Sequence, residues 1–183
     1  MIIAIQGAPG SFSEGAARQL AGPEGVMMAC GSFDELFAAV ASGRAARGVV
    51  PVHNTIAGPV YENAERAREA PFAVLGRVEY AVRQCLIAPR ATPVAHLRRV
   101  ASHPVALRQC TRFFDAHPAC VGVPVADTGS GVRDIMAGGL AVDAVIGSRA
   151  AARLYGATVL LEGIEDRVDN FTEFVLIGLV TRE

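Results

Sequence analysis

Short apolar runs rich in Val and Ile alternate along the chain with segments whose apolar residues recur every three or four positions. The first pattern fits strands and the second fits amphipathic helices. Strands are predicted over residues 2–5, 26–29 and 48–52, and helices over 12–20, 33–42 and 60–69. In the second helix Phe33, Leu36, Phe37 and Val40 share one face, and Ser32 stands before it as an N-cap. Ser11 holds the same place before the first helix, with Glu14 at the capping-box position. Two extended segments then follow in succession, 72–80 and 82–88. Alternation resumes with strands over 99–102, 120–125 and 144–146. Between them lie a helix over 105–116 opened by Pro104 and one from Thr128 or Gly129 to 136, ended by Gly138-Gly139. A helix over 149–155 sits between Ser148 and Gly156, and strands over 159–162 and 173–180 complete the set.

Such alternation implies an α/β fold, with largely parallel sheets and helices on both faces. The consecutive extended segments at 72–88 break the alternation and read as a crossover into a second lobe. The last strand returns to the first. The expectation is two α/β lobes, residues 1–78 with 165–183 and residues 79–164, joined by two crossing strands with a cleft between. Ligands of open α/β sheets sit beyond the carboxyl ends of the strands.

Composition narrows the chemistry. With 183 residues, 51% apolar and 19% charged, the chain can bury a substantial core. A net charge of −1 without a basic cluster argues against nucleic acid as partner. No apolar run reaches the roughly 18 residues of a membrane span, and no signal peptide precedes the first strand, so a cytoplasmic protein is expected. Cys30, Cys85, Cys110 and Cys120 are widely spaced, which disfavours a metal site or a disulfide framework. All 17 basic residues are arginine. Schiff-base chemistry on lysine, pyridoxal phosphate and a lysine-bearing phosphate loop are thereby excluded.

Polar residues gather at four strand-to-helix junctions: Gly7 to Ser13, His53-Asn54-Thr55, Ser102-His103-Pro104 and Asp127-Thr128-Gly129-Ser130. Taken singly, each reads as a helix cap. Facing one cleft together, their hydroxyls, amides and unpaired helix N–H groups would suit an anionic ligand.

Four motifs, in order, resemble the catalytic domain of prephenate dehydratases. They are Gly7-Ala8-Pro9-Gly10-Ser11-Phe12-Ser13, Val50-Pro51-Val52-His53-Asn54-Thr55, Ser102-His103-Pro104 leading to Gln109-Cys110, and Asn170-Phe171-Thr172-Glu173-Phe174. The resemblance implies two lobes arranged as in periplasmic binding proteins, with the active site in the interdomain cleft. It implies conversion of the dianion prephenate to phenylpyruvate, with loss of carbon dioxide and water, without metal or cofactor, by a homodimer. Thr172 would donate a proton or hydrogen bond to the departing hydroxyl. Ser11, Asn54, Thr55, Ser102, Gln109 and Phe174 match substrate-binding positions, and Thr128 and Gly129 would offer backbone N–H groups to a carboxylate. Many relatives continue into a regulatory ACT domain, and none is expected within this sequence, which stops at Glu183.

Two positions depart from the family pattern. His53 stands where a glutamate is usual, and Glu173 where an arginine is usual. The expectation is a reversed ion pair, His53 with Glu173, reaching across the lobes. The alternative is a carboxylate that repels the substrate. Rival functions are a non-aromatising prephenate decarboxylase, a non-catalytic ligand-binding module, and a catalytic subunit governed by a separate regulatory chain.

Overall fold

The computed structural model describes residues 1–180. The order is β1 (Ile2–Gln6), α1 (Phe12–Ala21), β2 (Val26–Cys30), α2 (Phe33–Ala41), β3 (Arg47–Asn54), β4 (Gly58–Pro59), α3 (Tyr61–Arg66) and β5 (Phe72–Ala81). Next come β6 (Cys85–Ala88), β7 (Arg99–Ser102), α4 (Pro104–Arg108), α5 (Thr111–Ala116) and β8 (Val121–Pro124). The remainder is α6 (Thr128–Met136), β9 (Ala144–Gly147), α7 (Arg149–Tyr155), β10 (Thr158–Glu162) and β11 (Phe171–Leu179). Among these residues no helix is long and apolar enough to cross a membrane.

Two compact units result. Unit 1 holds Met1–Gly7, Phe12–Ala81 and the described residues from Phe171 on; unit 2 holds Ala8–Ser11 and Val82–Asn170. The crossings therefore fall later than the sequence reading put them. β5 keeps pairing with β11 as far as Ala81, opposite Phe171. Residues 165 and 166 are tied to unit 2, since Glu165 accepts from the Gln84 N–H and Asp166 from the Thr111 and Arg112 N–H groups.

The unit 1 sheet runs β2-β1-β3-β11-β5, with β4 beside β3. β1 is parallel to β2 and β3, whereas β11 is antiparallel to β3 and β5. Alternation distributes the side chains. Ala4, Val50, Val175 and Ile177 pack with Leu36, Phe37 and Val40 of α2, while Ile3, Ile5, Val49 and Phe174 pack with Ala16 and Ala17 of α1. Burying each large member removes it from water for about 1.5–3 kcal/mol.

Unit 2 repeats the plan in a sheet of order β10-β6-β9-β7-β8. Here β7 is parallel to β8 and β9, and β6 is antiparallel to β9 and β10. Both sheets are thus mixed rather than largely parallel. Strands covered on both faces read as continuous apolar runs. Leu86, Val100 and Ile146 face Phe113 of α5, and Ile87, Ala101 and Val145 face Val132 of α6 and Ala151 of α7.

Four further differences from expectation follow. β3 runs on through His53 and Asn54, expected in a loop, because β11 begins at Phe171 and gives them partners. The helix expected over 105–116 breaks at Gln109-Cys110. The Gln109 carbonyl accepts from the Asp166 N–H at 2.7 Å, and the Asp166 carboxylate then receives the first N–H groups of α5. Finally, β6 starts at Cys85 rather than residue 82, and α3 is shorter than residues 60–69.

Candidate active site

In unit 1 the β3–β11 ladder sets Thr172 opposite Asn54 and Glu173 opposite His53. Asn54 is buried. Its Oδ1 accepts from the N–H groups of Ile56 at 3.0 Å and Ala57 at 2.8 Å, which fixes which end of the amide is oxygen. Its Nδ2 therefore donates, to the Phe171 carbonyl at 3.0 Å and to Thr172 Oγ1 at 2.9 Å. Thr172 receives a hydrogen on its oxygen and keeps its own O–H to give elsewhere. Thr55 fastens the same strand, its N–H donating to the Phe171 carbonyl at 2.9 Å and its Oγ1 accepting from the Phe171 N–H at 3.0 Å. Phe174 lies in the core, edge-on to Tyr80 with centroids 6.5 Å apart, and is not presented to a ligand.

The expected pair of His53 and Glu173 across the lobes is not formed. Both belong to unit 1, on neighbouring strands, and His53 is exposed. The Glu173 carboxylate instead accepts from Arg77 Nη1 at 2.7 Å. Along β11, Glu173 shares its face with Val175 on the α2 side, and Thr172 shares its face with Phe174 on the α1 side.

Unit 2 carries the other residues singled out from the sequence. Ser102 is fully buried, and its hydroxyl donates to the Ile146 carbonyl at 2.8 Å, tying β7 to β9. Gln109 is also buried, its Oε1 accepting from Asn170 Nδ2 at 3.0 Å and Gln84 Nε2 at 3.5 Å. Asp127 caps α6, Oδ1 accepting from the Ser130 N–H at 2.8 Å and, more loosely, from the Ala8 N–H at 3.4 Å. Thr128 and Gly129 form the first turn behind it. A side chain at Gly129 would stand 3.1 Å from the Ala8 carbonyl and 3.3 Å from that of Pro9, so the segment would have to give by a few tenths of an ångström to admit one. Ser11 is buried and closes a turn through its N–H to the Ala8 carbonyl at 3.1 Å.

His103 Nδ1 accepts from the Val105 N–H at 3.2 Å. Burial lowers its pKa, Arg108 adds to the effect and Asp127 opposes it, so the ring is a neutral cap rather than an acid. The four thiols are free and buried. Burial, with help from Glu162, pushes Cys85 up to about 11, and Cys110 is raised by burial first and then by Asp166 and Glu165. None has the character of a nucleophile.

Arg77, Gln84 and Ser148 were not reached from the sequence as site candidates. Arg77 acts through strand register, and Gln84 through its distance to a side chain 25 positions away. Neither signal exists in one dimension.

A family model described as prephenate dehydratase matches residues 3–181. "Arogenate dehydratase/prephenate dehydratase 2, chloroplastic" from Arabidopsis thaliana is 34% identical over 176 residues, covering 96% of this chain and 46% of that protein. The chain thus spans about half the length of the curated relatives it matches. A prephenate dehydratase from Arthrobacter aurescens, solved with L-Phe, shares the fold at a TM-score of 0.90 and 23% identity, over all of this chain and 61% of that one. A structure described as GqqA, a novel type of quorum quenching acylases, gives a TM-score of 0.86 at 30% identity, over all of this chain and 66% of that one.

Proposed function

We propose that this chain, which belongs to the prephenate dehydratase family, is the catalytic part of a dehydratase that converts prephenate to phenylpyruvate. The observation that carries the reading is the hydrogen bond from Asn54 to Thr172.

The ring carboxylate departs as carbon dioxide and leaves its electron pair to the ring. That pair expels the hydroxyl across the ring, and aromatisation drives the step. The hydroxyl leaves as water, taking a proton; the dianion yields a monoanion, carbon dioxide and water, so one proton is drawn from solvent overall. In this reading Thr172 passes that proton on and is recharged. A threonine hydroxyl is a weak acid, so its oxygen needs a donor as negative charge grows on it. Asn54 Nδ2 supplies that donor, held in place beforehand by the Ile56 and Ala57 N–H groups. The proposal extends to a homodimer, which sedimentation analysis tests.

The likeness to GqqA raises a second reading, acyl transfer with Thr172 as nucleophile. Such a nucleophile needs a base to take its proton. The neighbour of Thr172 is an amide N–H that occupies an oxygen lone pair, which favours proton donation over attack.

Incubation with prephenate, read as phenylpyruvate absorbance in alkali, tests the proposal. Aromatic product with carbon dioxide supports it. Carbon dioxide without aromatic product indicates a decarboxylase, binding with neither product a ligand-binding module, and turnover of arogenate alone a shifted substrate. Release of the acyl group from an acylated amide would favour the second reading.

A further inference from the structure

We propose that Ser148 and Tyr155 are positioning residues that hold the segment Ala8–Ser11, and through it Ser11, in the conformation that binds substrate. The inference rests on the dehydratase reading for what Ser11 contacts. The attachment itself stands on geometry alone.

The segment Ala8–Ser11 follows β1 and precedes α1, both of unit 1, yet it packs with unit 2. Gly7 still belongs to unit 1, its N–H donating to the Cys30 carbonyl at 3.1 Å. From Ala8 onward three backbone groups meet side chains of unit 2, the first being the Ala8 N–H, which donates to Asp127 Oδ1 at 3.4 Å. The Ser148 hydroxyl, buried, donates to the Gly10 carbonyl at 2.5 Å. The Tyr155 hydroxyl donates to the Pro9 carbonyl at 3.1 Å. Both side chains belong to α7, one as its N-cap and one in its last turn.

Contact along this seam is close. Gly10 has φ +84, and a side chain there would stand 2.6 Å from Ala151 Cα, backbone against backbone. No other residue fits, on either ground. Ser148 meanwhile accepts from the Ala151 N–H at 2.9 Å. One hydroxyl thus caps the helix with its oxygen and grips the loop with its hydrogen. A residue that merely caps α7 has no need of the second bond, and Tyr155, far from the cap, would have no reason to reach Pro9.

The two duties can be separated. Ser148→Gly keeps a tolerable cap but has no hydrogen to give. Ser148→Thr keeps both, and Tyr155→Phe removes one hydroxyl without touching the cap. With prephenate as substrate, Ser148→Gly is expected to raise KM about tenfold, the weight of one hydrogen bond, with kcat changed by less than about twofold. Tyr155→Phe is expected to do the same more weakly, and Ser148→Thr to restore wild-type behaviour. Amide hydrogen exchange provides a readout independent of turnover. In Ser148→Gly the Ser11 N–H should exchange about tenfold faster than in the wild type, while β1 amides stay unchanged. Wild-type kinetics in both Ser148→Gly and Tyr155→Phe would overturn the proposal, as would unchanged exchange at Ser11. If the wild type makes no aromatic product, the dehydratase reading fails, and faster exchange at Ser11 still upholds the attachment.

Discussion

The Glu173 carboxylate lies 2.7 Å from the Arg77 guanidinium, on the face of β11 that Thr172 does not share. The acid that replaces the arginine of the family motif is paired with a cation from the adjacent strand, where Glu79 stands opposite it, and is turned to the α2 side of the sheet. Repulsion of a dianionic substrate, the concern raised by the sequence alone, therefore does not follow from the substitution.

Glu173→Gln is accordingly expected to leave kcat within about twofold of wild type. Both partners are partly exposed, so the pair contributes less than about 1 kcal/mol to stability. Urea unfolding of Glu173→Gln and Arg77→Ala measures this, and salt should shrink the difference. A tenfold or greater gain in kcat for Glu173→Gln would show that the carboxylate does obstruct the reaction.

Asn54→Asp separates the two ends of the Asn54 side chain. The carboxylate still accepts from Ile56 and Ala57, so the turn after β3 persists, but nothing donates to Thr172. The expected loss in kcat is about 100-fold or more, as for removal of one donor to a developing oxyanion. Thr172→Ala should fall at least as far with substrate affinity nearly kept, whereas Thr172→Ser retains the hydroxyl and measurable turnover. Steady-state kinetics with a dichroism spectrum for each variant decides the matter.

Ser102→Ala should cost stability rather than substrate affinity. Its hydroxyl is buried and spent on the Ile146 carbonyl, so its loss leaves an unmet acceptor worth about 1–3 kcal/mol. Unchanged stability together with a raised KM would return Ser102 to the substrate.

Asp166 gives unit 2 a dependence on acid. Burial acts to raise its pKa, but hydrogen bonds from the Arg112 N–H and from the Thr111 hydroxyl and N–H together outweigh burial and hold it below the ordinary 3.8. The unfolded chain then binds the proton more readily. Stability from this contact is complete above pH 3.8 and declines as pH falls through the lowered value. Asp166→Ala should lose about 1 kcal/mol at pH 7, the weight of a helix cap, and the gap from wild type should narrow toward pH 2. Chemical unfolding at both pH values checks the trend, and a gap of constant size would falsify the assignment.

Most elements of the fold were legible because their determinants are local. Ser32 and Ser148 cap where the sequence put them, and Pro104 opens α4. What was not legible depends on partners distant in sequence. The break at Gln109-Cys110 exists because Asp166 arrives to take over the hydrogen bonds, and a helical pattern carries no sign of that. The strand character of Asn54 depends on β11, more than a hundred residues on. The same holds for the site. Motifs singled out Asn54 and Thr172 but not the bond between them, and they grouped Ser102, Gln109 and Phe174 with binding residues although all three are buried among protein partners. The pairing of His53 with Glu173 was inferred from charge alone, and register supplied a nearer cation.

All four cysteines are 8% exposed or less, and each thiol is raised in pKa by burial. The folded surface is therefore silent toward thiol reagents, while the unfolded chain offers four reactive groups. Maleimide uptake becomes a clock for global opening, with no dye or denaturant needed. A single cysteine introduced on the surface could carry a fluorophore without removal of any native thiol, so motion at a chosen loop can be followed in an otherwise unaltered protein.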